Sequence, residues 1–311
     1  MRYAIGIDLG GTAIKFAVIS EEGNFIFTGE LPSLAKESAD TVLSQLKKAI
    51  MLCQDACKEA NITAEGVGLG TPGIIDASNR IVLGGAENIK GWENLDLATP
   101  LEQACGLPVY ISNDANLMGL GEGAFGAGEG AGNIVFFTVG TGIGGAVMIN
   151  GKLFNGFANR GTELGHTPLL SDGKPCECGS AGCLEAYASV TALVDDFTKA
   201  SQAAGRRYDE INGKLIVKLY HEQDPIALKC MKDHFFYLGR GIAGFINIFS
   251  PELIIVGGGI SEAGDFYIEN VKAQAMKHAM PDCATNTDIR VATLGNKAGS
   301  MGAAQWVFSQ K

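Results

Sequence analysis

The chain has 311 residues, a net charge of −10, 46% hydrophobic and 19% charged residues, and 43 glycines. That balance suits a soluble, large-cored protein of about two domains. No basic cluster is present, which argues against a nucleic-acid partner, because neutralising phosphates needs a positive stripe. No uninterrupted apolar run approaches the roughly 20 residues that cross a bilayer. The start, Met1-Arg2-Tyr3-Ala4-Ile5-Gly6, has none of the regions of a secretory leader. A cytoplasmic location with no membrane association is therefore expected.

Residues 3–8, 14–19 and 24–28 read as a three-stranded meander turned by Gly10-Gly11-Thr12 and by Glu21 to Asn24. Val42, Leu43, Leu46, Ile50, Cys53 and Cys57 then recur at helical spacing. A strand from Val67 ends in Thr71-Pro72-Gly73. Thr99-Pro100-Leu-Glu102 has the form of a helix start, with Thr99 as cap, and Gly106 closes that helix. Pro108 to Ser112 leads as a strand into Asn113-Asp114-Ala115-Asn116. After a glycine-rich stretch the opening pattern returns: a strand from Asn133, the turn Gly140-Thr141-Gly142-Ile143-Gly144-Gly145, and a strand from Ala146. Identity with the first hairpin is low, so what repeats is the layout, and strand–glycine–strand is common enough for the likeness to arise by accident. Helices follow over 190–204 and from an Asp224-Pro225 cap to Ile248. A buried strand from Glu252 ends in Gly257-Gly258-Gly259, and a helix (266–278), a strand (289–294) and a helix (300–308) finish the chain. Strands alternating with helices give an α/β fold.

Between these halves, Glu163-Leu-Gly-His166 is followed by Cys176-Glu-Cys178-Gly-Ser-Ala-Gly-Cys183-Leu-Glu185. One imidazole and three thiols match a tetrahedral Cys3His zinc site, closed to water and hence structural. The bland alternative is a loop with three idle thiols. The other five cysteines stand singly, as in a reduced protein. A metal that holds His166 and Cys183 also holds the neighbouring Glu163 and Glu185, and the second nitrogen of His166 needs a hydrogen-bond acceptor. Rigid polar groups of this kind suit a small polyol; two solvated glutamates are the competing reading.

Glycine turns after strands let backbone N–H groups approach phosphate. Three occur here, and any one alone is usually only a turn. Asp8, ahead of the first, is placed to hold Mg2+ directly or through water. No Gly-Lys-Ser/Thr follows, which excludes the ordinary P-loop, and β-type sequence after the turn excludes the dinucleotide pattern. Asp114 reads equally well as a helix N-cap.

The set Asp8-x-Gly-Gly-Thr12, Asn113-Asp114, Gly140 to Gly145, Glu163-x-Gly-His166, Cys176-x-Cys178-x4-Cys183-x-Glu185 and Gly257-Gly-Gly259 resembles the ROK family (repressors, open reading frames and sugar kinases) over essentially the whole chain. The resemblance implies two RNase H-like domains of the actin/hexokinase ATPase type with a cleft between them. They would comprise residues 1–112 with 296–311, and residues 113–295 with the zinc loop. It implies an ATP-dependent hexose kinase acting at the 6-hydroxyl of glucose, with N-acetylmannosamine or N-acetylglucosamine kinase as the alternative. By the same resemblance Asp8 helps place Mg2+, and Gly10, Gly11, Thr12, Thr141, Gly142, Gly144 and Gly145 line the phosphates of ATP. Gly257 and Gly258 flank the adenosine. Asn113, Asp114, Glu163, His166 and Glu185 hold the sugar, Gly73 and Asn88 reach it from nearby loops, and Asp114 is the catalytic residue. His166, Cys176, Cys178 and Cys183 hold the zinc. The chain departs from the family at Arg160-Gly161-Thr162, where small residues are frequent, and at Lys297, often Asp. Family repressors carry a helix-turn-helix ahead of the first hairpin, for which the early Asp8 leaves no room, so a sugar-sensing regulator without kinase activity is the less favoured reading. Relatives are commonly dimers or tetramers, so a homo-oligomer is expected.

Overall fold

The computed structural model describes every residue except Glu87, Asn88 and Lys311. Strands β1 (Tyr3–Leu9), β2 (Ala13–Ser20) and β3 (Phe25–Pro32) lead into helix α1 (Ala39–Glu59). Then come β4 (Val67–Thr71), β5 (Ile74–Ile75), β6 (Ile81–Gly84), β7 (Leu95–Asp96), α2 (Ala98–Cys105), β8 (Val109–Asn113) and α3 (Asp114–Phe125). The second hairpin is β9 (Ile134–Val139) and β10 (Ile143–Ile149), followed by β11 (Lys152–Leu153). Helices α4 (Glu185–Ala188), α5 (Val190–Ala203), α6 (Gly213–His221) and α7 (Pro225–Phe249) precede β12 (Leu253–Gly257). The chain closes with α8 (Asp265–His278), α9 (Pro281–Ala284), β13 (Asp288–Val291) and α10 (Ala298–Phe308).

Two five-stranded sheets carry one topology. The first is ordered β3-β2-β1-β4-β8 and the second β11-β10-β9-β12-β13. In each, the first strand of a hairpin lies at the centre and two later strands add beside it in parallel. The repeated layout of the glycine hairpins is thus a repeat of the whole sheet. A small three-stranded sheet, β5-β6-β7, absent from the sequence-based expectation, is hydrogen-bonded separately from both.

By the density of internal contacts the chain divides into two units. The first holds Met1–Gly130, Ala146–Thr162 and the segment from Leu294 onward; the second holds Ala131–Gly145 and Glu163–Thr293. The first unit therefore continues past the 112/113 boundary read from sequence. The reason is α10, which packs on α3, β1 and β4. A Cβ at Gly302 would lie 1.7 Å from the Leu117 carbonyl of α3, so only glycine permits that approach. Glu122, fully buried on α3, accepts hydrogen bonds from Ala127 N (3.0 Å) and Leu294 N (2.7 Å) and fixes the chain's entry to α10.

Local signals held in part. Asp224 caps α7 through Ile226 N and Ala227 N, and Gly106 ends α2 in a left-handed conformation. Thr99 does not cap α2. That helix begins at Ala98, and Asp96 receives both the Thr99 N–H (3.0 Å) and its hydroxyl (2.6 Å). The strand expected over 289–294 ends at Val291, where parallel pairing with β12 stops. No helix among the described residues is long and apolar enough to cross a membrane.

Candidate active site

In the first unit, Gly10 N donates to Ala13 O (2.9 Å), closing the β1–β2 turn tightly enough to leave Gly11 and Thr12 exposed at its tip. Asp8 lies at the end of β1. Burial lifts its carboxyl to about 6, the nearby Asp114 charge adds to the rise, and Lys15 opposes it. Asp114 opens α3, and burial likewise raises its pKa, against hydrogen bonds from Ala115 N and its own N–H. The N-cap reading of Asp114 is settled by its neighbour. Asn113 is the cap, accepting from Ala115 N (3.0 Å) and Asn116 N (3.2 Å). Its amide also donates to Gly73 O (3.2 Å), so two residues named from sequence are joined. Asn88 lies outside the described residues. Trp92, fully buried, donates to Thr71 Oγ1 (2.8 Å) and steadies the end of β4; nothing in the motif pattern flagged it.

In the second unit, Gly140 N donates to Gly142 O (2.9 Å), and Val190 N at the head of α5 donates to Gly140 O (2.8 Å). Glu185 Oε2 accepts from Ile143 N at 2.7 Å. A Cβ on Gly142 would press on that oxygen, so a larger residue here would have to displace the Glu185 carboxylate. The same turn borders a cavity of about 780 Å3 whose walls include Thr141, Val194, Asn212, Lys214, Gly259 and Ile260. A mainly apolar cavity of several hundred Å3 with a few polar groups suits a nucleoside. Gly257 ends β12 and Gly258 follows it, just ahead of Gly259 in that wall. Asn212 caps α6, and neither that helix nor its contribution to the cavity was read from sequence.

The metal-ligand block lies in the same unit. Ligand atoms of His166, Cys176, Cys178 and Cys183 all lie within 4.8 Å of one another. Cys178 and Cys183 sulfurs are 3.7 Å apart, and His166 Nδ1 is 3.5 Å from Cys176 Sγ. Tetrahedral zinc with Zn–S near 2.3 Å and Zn–N near 2.05 Å requires about 3.8 and 3.6 Å for those edges. Burial and the two neighbouring sulfurs push Cys183 up to about 12. Three sulfurs and a ring nitrogen at this spacing fit the donor set of a tetrahedral zinc ion. A metal held by Nδ1, which faces the sulfurs, would leave Nε2 to carry the ring proton as a donor. Glu185 Oε1 stands 4.0 Å from His166 Nδ1 and 3.9 Å from Cys176 Sγ. Glu163, exposed, precedes the single 3₁₀ turn Leu164–His166.

Comparison with known proteins gives the frame. The ROK family description matches residues 4–310. The chain belongs to the ROK family. A glucokinase of Halalkalibacterium halodurans is 34% identical over 320 residues, covering 100% of this chain and 96% of the relative. Among solved structures, a ROK hexokinase from Thermus thermophilus superposes with a TM-score of 0.86 at 32% identity, covering 99% of this chain and 98% of that one. A ROK family glucokinase from Streptomyces griseus, solved in complex with glucose and AMPPNP, gives 0.83 at 32% identity, with 99% of each chain covered. The duplicated sheet is thus the actin-like ATPase fold of ROK hexokinases. Within this ROK chain, the first unit holds Asp8, Gly10 to Thr12, Gly73, Asn113 and Asp114, and the second holds both other glycine turns and the Cys/His block.

Proposed function

We propose that this ROK chain is an ATP-dependent hexose kinase that transfers the γ-phosphoryl group of MgATP to the 6-hydroxyl of glucose. The observation that carries the reading is Asp114: a buried carboxylate at a helix start, held by an Asn113 cap, with its pKa raised above the ordinary aspartate range. A carboxylate so placed is a stronger base than an exposed one and suits proton removal from a sugar hydroxyl. The 34% identity to a glucokinase over the whole chain supports the sugar.

Phosphoryl transfer passes through a loose transition state, so positioning and charge neutralisation supply most of the rate. Asp114 orients the attacking hydroxyl and accepts its proton as the new bond forms. Asn113, Glu163, His166 through Nε2–H and Glu185 hold the remaining sugar hydroxyls, and on the family resemblance Gly73 and Asn88 also contact the sugar. Backbone amides of Gly10, Gly11 and Thr12 and of Thr141, Gly142, Gly144 and Gly145 receive the phosphates, and Gly257 and Gly258 flank the adenosine. Asp8 would hold Mg2+, directly or through water; when bound, the ion neutralises charge on the β- and γ-phosphates. His166, Cys176, Cys178 and Cys183 would hold a structural zinc that keeps the sugar-facing imidazole rigid. Eight free cysteines accord with a cytoplasmic protein, and a dimer or tetramer is expected on the family resemblance.

The test is Asp114→Asn, which keeps the shape and removes the base. Turnover of glucose with MgATP should fall at least 1,000-fold (about 4 kcal/mol at 1.36 kcal/mol per decade) while glucose still binds. The wild-type rate should fall on the acid side at a pH above that of an ordinary aspartate. Near-normal turnover in the variant would refute the role.

A further inference from the structure

Thr162 has φ of 67°. A β-branched residue in the left-handed region is a true outlier, and such strain persists only where the surroundings impose it. The surroundings here are polar. Thr162 Oγ1 lies 2.6 Å from Gly161 O and 3.3 Å from the Asn116 amide, and the Asn116 amide in turn lies 3.4 Å from that of Asn155. A hydroxyl has one hydrogen, which these two acceptors share. Thr162 Oγ1 donates toward Gly161 O and Asn116 Oδ1, and Asn116 Nδ2 donates to Asn155 Oδ1.

Asn116 is 8% exposed and sits in the first turn of α3, two residues past Asp114. Its amide therefore grips both ends of the 155–162 loop. The backbone already pinches that loop shut, with Gly161 N donating to Asn155 O at 2.7 Å. The residue that follows Thr162 is Glu163, one of the acids assigned to the sugar. We infer that Thr162 is a positioning residue for sugar binding. Its hydroxyl, held beside Asn116, fixes the end of the 155–162 loop from which Glu163 leaves. This inference rests on the kinase reading above.

Thr162→Gly separates this role from a merely structural one. Glycine relieves the left-handed strain, so the thermal midpoint should stay or rise. Loss of the hydroxyl should raise the KM for glucose about tenfold, the fold-change that follows from losing about 1.4 kcal/mol of positioning, with the KM for ATP unchanged. Thr162→Ser, which keeps the hydroxyl, should restore the glucose KM. An unchanged glucose KM in Thr162→Gly, or a serine variant as impaired as the glycine one, overturns the inference. Amide hydrogen exchange in Thr162→Val needs no turnover, and it should accelerate over residues 155–163 where the wild-type loop is protected. If the wild type phosphorylated no sugar, the kinase reading alone would fall. Unchanged exchange in the valine variant would overturn the link itself.

Discussion

Asp8 offers a prediction with a magnitude attached. Its carboxyl moves from 3.8 to about 6 because burial, and then the charge of Asp114, disfavours ionisation. The native state therefore holds a proton that the unfolded chain has already released. Stability from this group is fully present below about pH 4 and is lost as pH rises through about 6. Two units at 1.36 kcal/mol each amount to roughly 3 kcal/mol of destabilisation at pH 7. About 1.4 kcal/mol of that falls between pH 5 and 7.5 by the same linkage. Asp8→Asn removes the charge and keeps the shape. The variant should be more stable than wild type at pH 7.5, and its advantage should shrink by about 1.4 kcal/mol at pH 5. Urea unfolding at the two pH values, read by fluorescence, measures this. The same variant should lose most MgATP-dependent turnover. A pH-independent difference between the two proteins would refute the reasoning, and so would a variant less stable than wild type at pH 7.5.

Two further outcomes follow from the packing and the thiols. Chelation of native protein should release about one zinc per chain, lower the melting temperature and weaken sugar binding, since metal binding and local folding are coupled; metal analysis finding none would remove the zinc assignment. Glu122→Ala removes the charged acceptor from two half-buried hydrogen bonds, those of Ala127 N and Leu294 N, and should cost about 3 kcal/mol, at roughly 1.5–3 kcal/mol for each bond to a charged group. Urea midpoints check it, and a neutral effect would mean that α10 is held without this bond.

The parts of this architecture that could be read from sequence are those encoded over short distances. Asp224-Pro225 announces α7, Gly106 ends α2, and the spacing of His166, Cys176, Cys178 and Cys183 announces a metal block, because each depends on neighbours a few residues away. The repeat of the glycine hairpins was visible as layout, and pairing with β4 and β8 in one sheet and β12 and β13 in the other made it a repeat of topology. What the sequence hid depends on distant partners. Helix α10 holds α3 in the first unit although Glu122 and its partner Leu294 are 172 residues apart. At the site, half of the Glu185 carboxylate is engaged by Ile143 N–H, a link between motifs that no spacing rule announces. Helix α6, with Asn212 and Lys214 beside the cavity, carries no motif at all.

The most direct measurement of the central claim is phosphorus NMR of the products formed from MgATP and glucose, run beside N-acetylmannosamine, N-acetylglucosamine and water. The account predicts ADP and glucose phosphorylated at the 6-hydroxyl, with the acetylated sugars slower and ATP hydrolysis negligible. Faster transfer to an N-acetylhexosamine would move the substrate assignment. ATP left intact with every sugar would contradict the kinase.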